Sequence, residues 1–477
     1  MQVLFVASEA VPFSKTGGLA DVAGSLPAAL AAHAIDARTI VPHYRNTDTT
    51  GYEVEAIADL SIPFDGRLQR ATLLRATQNS ELKTQHYLLD APQYFDRDQL
   101  YGYEDDILRF GFFCRAVLRA LTALDEKDNF KPQILHCHDW HTGLLAVYLK
   151  SLGLGNVAKT VFTIHNLVYQ GLADFSTLAR LGLPDSLFNY HQLEFYNQIN
   201  PLKGGLVFSD AITTVSPTYA REIQTPQHGA QLEGVLAEHA HQLHGIINGI
   251  DYGEWNPATD KYLAAPFSAA DYTGKKLCKT DLQQTVGLPQ LPDMPLIGMV
   301  SRLSSQKGFD LVLAALENVL ALGCQLVLLG DGDDYYKTRF HELGLRYPLQ
   351  TAFVMGQRNE PLAHKIYAGS DLFLMPSQYE PCGLSQMISL AYGTIPIVRS
   401  TGGLADTIHQ FNSTTREGNG FVFHDYNTAA MLGAISRAIE CYHSGDWPQL
   451  IANAFESDFS WSVSARDYGQ LYRRLIS

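Results

Sequence analysis

The chain has 477 residues, 46% of them hydrophobic and 18% charged, a composition that fills globular cores and excludes a disordered chain. With 35 basic against 49 acidic side chains the net charge is −14, which argues against a nucleic-acid-binding surface and leaves any anionic ligand to local cations and backbone N–H groups. Six scattered cysteines without a CxxC pair form no disulfide framework, and neither a basic leader region nor a long apolar run is present, so the expectation is a cytoplasmic protein with no membrane partner.

Short apolar runs alternate with helical periodicity along the chain. Strands are expected at 3–7, 38–41, 87–90, 134–138, 161–165, 211–215 and 245–248, with helices at 19–32, 105–124 and 141–151 among them. An aperiodic stretch at 251–272 follows, with a hinge expected near 247–258. The rhythm then returns: strands at 296–300, 325–329, 351–355, 371–375 and 395–398, and helices at 307–322, 334–345, 360–369 and 384–392. Such alternation predicts an α/β fold of parallel sheets covered on both faces. The last segment, 459–477, reads as a helix with Val463, Tyr468, Leu471, Tyr472 and Leu475 on one side. One hexapeptide, TGGLAD, occurs twice, at 16–21 and 401–406, each time between an expected strand and helix.

Four segments carry chemistry. After the first strand, Lys15 precedes Gly17 and Gly18, which let a ligand approach the backbone at the carboxyl end of a parallel strand. The same residues also suit a tight turn with a solvated lysine. The run ILHCHDWH brings His136, His138, Asp139 and His141 close in sequence, a pattern suggestive of metal ligands. However, His136 and His138 share one strand face, His141 lies past the turn, and no fixed fourth ligand is evident. Asp139, and His165 with Asn166 after the next strand, read better as strand-end groups facing a ligand. In SRLSSQKG, Arg302 offers a fork for phosphate oxygens, and Lys307 opens a helix where the dipole disfavours a cation unless an anion binds. In SQYEPCGLS, Glu380 precedes Gly383 and Leu384, whose N–H groups suit a diphosphate beside a reacting group. Asp331-Gly332-Asp333 has the form of a metal-binding DxD but reads as a strand-to-helix turn capped by Asp333.

Taken in order, KTGGLADV (15–22), HDWHTGL (138–144), FTIHNL (162–167), SPTYA (216–220), NGID (248–251), SRLSSQKG (301–308), EPCGLSQ (380–386) and TGGLADT (401–407) resemble the glycogen and starch synthase family over essentially the whole chain. The resemblance implies a glycosyltransferase-B fold, two Rossmann-like domains facing a deep cleft. An acceptor-side domain, 1–247, would be joined by the helix 459–477, and 248–458 would be the nucleotide-sugar domain. It also implies transfer of glucose from ADP-glucose to the non-reducing end of glycogen or another α-1,4-glucan, with retention and with no cofactor or metal. By matched motif, Lys15 and Gly18 would contact the donor, and Arg302 and Lys307 the diphosphate. Asp139, His165, Asn166 and Asn248 would line the sugar site, and Glu380 would hold the transferred glucose. The N–H groups of Gly383, Leu384, Gly402 and Gly403, beside Cys382, would complete the donor contacts, and Tyr101 would be a sugar- or acceptor-side tyrosine. Many related transferases carry a second glutamate eight residues after the first, where this chain has Ile388. The alternatives are a UDP-glucose-dependent transferase, an epimerase of similar architecture, or a silent glucan-binding protein. The last should have lost Lys15, Arg302 and Lys307, and all three are present.

Overall fold

The computed structural model describes residues 1–79, 84–356 and 359–477. They form two compact units, Met1–Gly249 together with Trp461–Ser477, and Ile250–Ser460.

The first unit is built on a nine-stranded sheet ordered Leu243–Gly245, Ala211–Thr214, Lys159–Ile164, Ile134–His138, Gln2–Val6, Asp36–Pro42, Gln85–Asp90, Arg67–Gln78 and Tyr52–Phe64. The first seven are parallel; the last two form an antiparallel hairpin on the edge. QVLFV and ILHCH are almost wholly buried, as strands covered on both faces must be. The strand order reverses between Gln2–Val6 and Ile134–His138. The chain leaves the first strand toward Asp36–Pro42 and later returns on the other side, so the loops after these two strands diverge at a natural ligand position.

The hairpin is absent from the sequence expectation. Tyr52–Phe64 is mostly exposed, so its apolar alternation is weak. The available signal is its turn: Asp65 and Gly66 take φ of 51° and 71°, the left-handed pair of a two-residue type I′ connection. The strand expected at 245–248 instead lies at Leu243–Gly245.

The helix Trp461–Ile476 packs on the first unit, where Trp461, Ala465, Tyr468, Leu471 and Tyr472 join a core with Val3, Phe5, Val22 and Leu26. Val463 does not share that side. It is 37% exposed, because two residues carry it roughly 200° round the helix from Trp461.

The second unit has a parallel six-stranded sheet ordered Thr351–Met355, Gln325–Gly330, Leu296–Val300, Leu372–Met375, Ile395–Arg399 and Phe421–Phe423. Its order reverses between Leu296–Val300 and Leu372–Met375. The helix expected from 307 begins at Phe309, after a 3₁₀ turn at Ser305–Lys307 and Gly308 at φ 75°. A Cβ at Gly308 would lie 2.1 Å from the Pro376 carbonyl oxygen, so only glycine fits there. Lys307 therefore precedes the helix rather than opening it, and the helix dipole does not require an anion beside it. Asp333 does cap the helix Asp334–Arg346, accepting the Tyr335 N–H at 2.8 Å. Among the described residues no helix is long and apolar enough to cross a membrane.

Candidate functional site

In the first unit, the loop after Gln2–Val6 is folded around Glu9. This buried carboxylate accepts the Thr16 N–H at 2.5 Å and the Thr16 hydroxyl at 2.7 Å. Burial raises the Glu9 carboxyl above its ordinary range, against the pull of those bonds. Glu9 thus fixes the backbone just after Lys15, a role invisible in sequence, where it only interrupts an apolar run. The Lys15 ammonium lies 2.5 Å from Asp21 Oδ1, one turn into the helix that Gly18 opens. Gly17 is extended, at φ −149°, and a Cβ there would meet nothing closer than Glu9 Oε1 at 3.8 Å.

Asp139 stands at the end of Ile134–His138 with φ 55° and ψ −179°, a conformation costly for any residue but glycine and common at functional sites. Its Oδ1 accepts the N–H groups of His165 at 2.8 Å and Asn166 at 3.4 Å, joining the ends of two neighbouring strands. Burial pushes its carboxyl up to about 7. Burial drives His141 and His165 the other way, to about 3, so both rings are uncharged. His165 Nε2 meets His138 Nδ1 at 3.0 Å. Tyr101 places its hydroxyl 2.8 Å from Ser8 and its ring 4.6 Å from that of His141. Lys15, Gly18, Tyr101, Asp139, His165 and Asn166 thus occupy loops at or beside one strand-order reversal. The Asn166 carboxamide accepts the Val168 N–H at 3.2 Å, shaping its own turn. Asn248 is buried, and its Oδ1 has no hydrogen-bond partner among the described residues.

His136 belongs to the core. Its nitrogens meet the Thr163 hydroxyl at 2.6 Å and the Tyr472 hydroxyl at 2.7 Å, so neither is left for a metal.

In the second unit, three loops converge at the other reversal point. Lys307 Nζ lies 2.6 Å from Glu380 Oε2, which also accepts the Ser377 hydroxyl at 3.0 Å. The anion facing Lys307 is therefore a buried carboxylate of the protein itself. Gln306 ties the same loops together, donating to the Tyr379 carbonyl at 3.2 Å and accepting the Gln378 N–H at 2.8 Å. Arg399 Nη1 donates to the Gln378 carbonyl at 2.5 Å. Arg302 is exposed and enters no ion pair among the described residues.

The second TGGL copy buttresses Glu380. The Gly403 N–H donates to the carbonyls of Glu380 at 3.0 Å and Pro381 at 3.1 Å, tying the second copy to the Glu380 loop. Cβ atoms at Gly402 and Gly403 would fall 1.9 Å from the Glu380 carbonyl oxygen and 2.0 Å from that of Cys382. Cys382 is buried, and Gly383 sits at φ 73° beside Leu384, which precedes the short helix Ser385–Ala391. Gln386 holds that turn through the carbonyls of Cys382 and Gly383. The sequence reading gave no role to Glu9, Ser377, Gln386 or Arg399; Ser377 and Gln386 act on neighbours within their own motifs, whereas Glu9 and Arg399 act on residues that only the fold brings to them. Among the described residues, these strand ends bring together the positioned Lys307 ammonium, the buried Glu380 carboxylate, the exposed Arg302 guanidinium and the loop-bound guanidinium of Arg399.

Comparison with known proteins agrees with this arrangement. Residues 2–238 match the family model described as starch synthase catalytic domain, and residues 288–454 match that of glycosyl transferases group 1. The chain is 46% identical over 483 residues to a glycogen synthase of Desulforamulus reducens, covering 100% of this chain and 99% of that protein. It is 45% identical over 483 residues to a glycogen synthase of Geobacillus stearothermophilus, covering 100% and 98%. The catalytic domain of Arabidopsis thaliana starch synthase IV, solved bound to ADP and acarbose, superimposes with a TM-score of 0.91 at 36% identity, covering 99% of each chain. A sucrose-phosphate synthase from Thermosynechococcus elongatus has the same fold at 19% identity and a TM-score of 0.61, covering 100% of this chain and 99% of that one.

Proposed function

The chain belongs to the glycogen and starch synthase family, and from that premise we propose that it transfers glucose from ADP-glucose to the non-reducing end of an α-1,4-glucan with retention at the anomeric carbon. It is a glycosyltransferase of the B fold, and the reaction class is that of a glycogen synthase. ADP as leaving group is supported by the related starch synthase, which was solved with ADP bound.

The observation that carries the reading is the Lys307–Glu380 pair, held at 2.6 Å at the strand-order reversal of the second unit. As the glycosidic bond to phosphate breaks, negative charge grows on the diphosphate while the sugar becomes oxocarbenium-like. Lys307 and Arg302 are cations suited to the first charge, and Glu380 sets the direction of the ammonium. A cation already oriented needs no reorganisation when the charge appears. Glu380 also suits a hydroxyl of the transferred glucose. In the first unit, Asp139, His165 and Asn166 are assigned to the sugar, Lys15 and Gly18 to the donor, and Tyr101 to the sugar or acceptor side. The uncharged state of His165 suits hydrogen bonding to a hydroxyl. Transfer requires no metal on this reading, since protein cations meet the diphosphate.

The test is a donor panel. Labelled ADP-glucose and UDP-glucose are each incubated with glycogen, with and without exhaustive chelation, and acid-precipitable label is counted. The reading expects incorporation chiefly from ADP-glucose and undiminished after chelation. Equal or greater incorporation from UDP-glucose would overturn the donor, and loss restored by Mg²⁺ or Mn²⁺ would overturn the metal-free mechanism.

A further inference from the structure

Among the described residues, Glu254, Glu360 and His364 offer metal-ligating atoms within 4.8 Å of one another. All three lie in the second unit, and none belongs to the loops around Glu380. Glu360 and His364 are four apart on the helix Glu360–Gly369, hence neighbours on one face. Glu254 comes from the irregular segment that follows residue 250. Both glutamates are exposed, while His364 is 2% exposed.

The surroundings of His364 set this group apart from an ordinary acidic patch. Its Nδ1 lies 2.7 Å from Asp260 Oδ2, an oxygen that also accepts the Tyr392 hydroxyl at 2.5 Å. Its ring stacks on Trp255 with centroids 4.2 Å apart and planes at 15°, so the imidazole is fixed in orientation. The other nitrogen, Nε2, is buried and has no hydrogen-bond partner among the described residues. A buried ring nitrogen without a partner calls for an explanation. With Nδ1 facing a carboxylate, Nε2 is the nitrogen left for a ligand, as in histidines that bind metals with a carboxylate behind them.

We propose that Glu254, Glu360 and Nε2 of His364 bind one divalent transition-metal ion, with Asp260 as the carboxylate that orients the histidine. Imidazole nitrogen with two carboxylate oxygens suits zinc, with water completing a tetrahedral set; magnesium and calcium prefer all-oxygen shells. Closing the ligand atoms to the roughly 3.5 Å spacing of such a site requires rotamer changes in two exposed glutamates. Glu360 keeps one oxygen for the metal while the other accepts the Tyr262 hydroxyl at 3.1 Å. The ion would staple the irregular segment carrying Glu254 and Trp255 to the helix carrying His364. Its role is structural, so it is compatible with transfer that needs no metal.

The experiment uses the full chain, stripped with a chelator and exchanged into metal-free buffer. It is titrated with ZnCl₂ by calorimetry, with MgCl₂ as contrast, while the unfolding temperature is followed in parallel. The expected result is one zinc per chain and a rise in unfolding temperature, since zinc binds only the folded arrangement. The double variant Glu254→Gln with Glu360→Gln should weaken zinc by more than about tenfold, and Asp260→Asn by about 10–100-fold through its histidine. The double variant alters exposed side chains, so it stays folded even if Asp260→Asn does not. Absence of zinc binding to the wild type, equal affinity in the double variant, or Mg²⁺ bound as tightly as zinc would each overturn the site.

Discussion

Lys307 and Arg302 are both cations at the ends of parallel strands, yet their surroundings separate catalysis from stability. Lys307 is engaged with a carboxylate whose side chain is 7% exposed; Arg302 is exposed and without an ion pair among the described residues. Removing Lys307 strands a nearly buried charge, whereas removing Arg302 strands nothing. Both substitutions to alanine should slow transfer from ADP-glucose by about 10²–10³ if each meets the developing charge on the diphosphate. Only Lys307→Ala should also lower the unfolding temperature; Arg302→Ala should stay within about 0.5 kcal/mol of wild type. Rates within tenfold of wild type for both would place the diphosphate elsewhere. Asp139 allows a test by pH. Its carboxyl, pushed up to about 7, keeps its proton in the folded chain over a range in which the unfolded chain has released it. Folding therefore takes up a proton between roughly pH 4 and 7, and stability from this group falls as pH rises through that window. His141 and His165, pushed down to about 3, act in the opposite sense, favouring the folded state above their ordinary range and losing that advantage as pH falls. Asp139→Asn removes only the first slope. Urea unfolding at about pH 5 and pH 8 should show the variant gaining on wild type at the higher pH. A difference that is flat with pH would mean that Asp139 is ionised throughout.

Elements were legible where both faces of a strand are covered. QVLFV, ILHCH, KTVFTI and QLVLLG are runs of β-formers with almost no exposed position, and each is a parallel strand. The edge hairpin was not legible, because an edge strand with one face in water has too few apolar residues to set a period; its Asp65-Gly66 turn was the clue. The site was legible as motifs and illegible as a scaffold. Lys307 and Glu380 could be named from sequence, but not that Glu380 is the partner of Lys307, nor that Gly402 and Gly403 hold it in place. The two TGGL copies make this point testable. Their sequences are identical, yet Gly17 is extended and a Cβ there would make only an ordinary contact, 3.8 Å to Glu9 Oε1, while Gly402 has φ 45° and no room. Gly17→Ala should leave the unfolding temperature nearly unchanged. Gly402→Ala must displace the Glu380 carbonyl, at a cost of about 1–3 kcal/mol for strain or overpacking, and should reduce transfer as well. Similar stabilities for the two variants would mean that the copies are equivalent after all.

At the scale of the molecule, the last helix belongs to the unit in which the chain begins, although the whole second unit intervenes in sequence. Three kinds of contact hold it there. Trp461, Ala465, Tyr468, Leu471 and Tyr472 bury an apolar face against Val3, Phe5, Val22 and Leu26. Ser464 donates to the Ile247 carbonyl at 2.6 Å, and Arg473 to the His33 carbonyl at 3.0 Å. The Tyr472 hydroxyl meets His136 Nδ1 at 2.7 Å beneath the sheet. Burial keeps His136 uncharged, and it has no water to turn to if that partner is lost. These contacts predict a graded series. Val463→Ala touches an exposed position and should stay within about 0.5 kcal/mol. Tyr472→Phe keeps the ring but leaves one His136 nitrogen unpaired, at a cost of about 1–3 kcal/mol. Deleting 461–477 uncovers the core around Phe5 and should open the first unit to protease under conditions in which the intact chain resists. Thermal unfolding followed by near-ultraviolet circular dichroism, with limited proteolysis and peptide mapping, reads all three. The decisive comparison is where cleavage falls after the deletion. Cuts concentrated in 1–249 mean that the helix is part of the amino-terminal fold, whereas cuts confined to 250–460, or an unchanged pattern, would mean that it is an appendage.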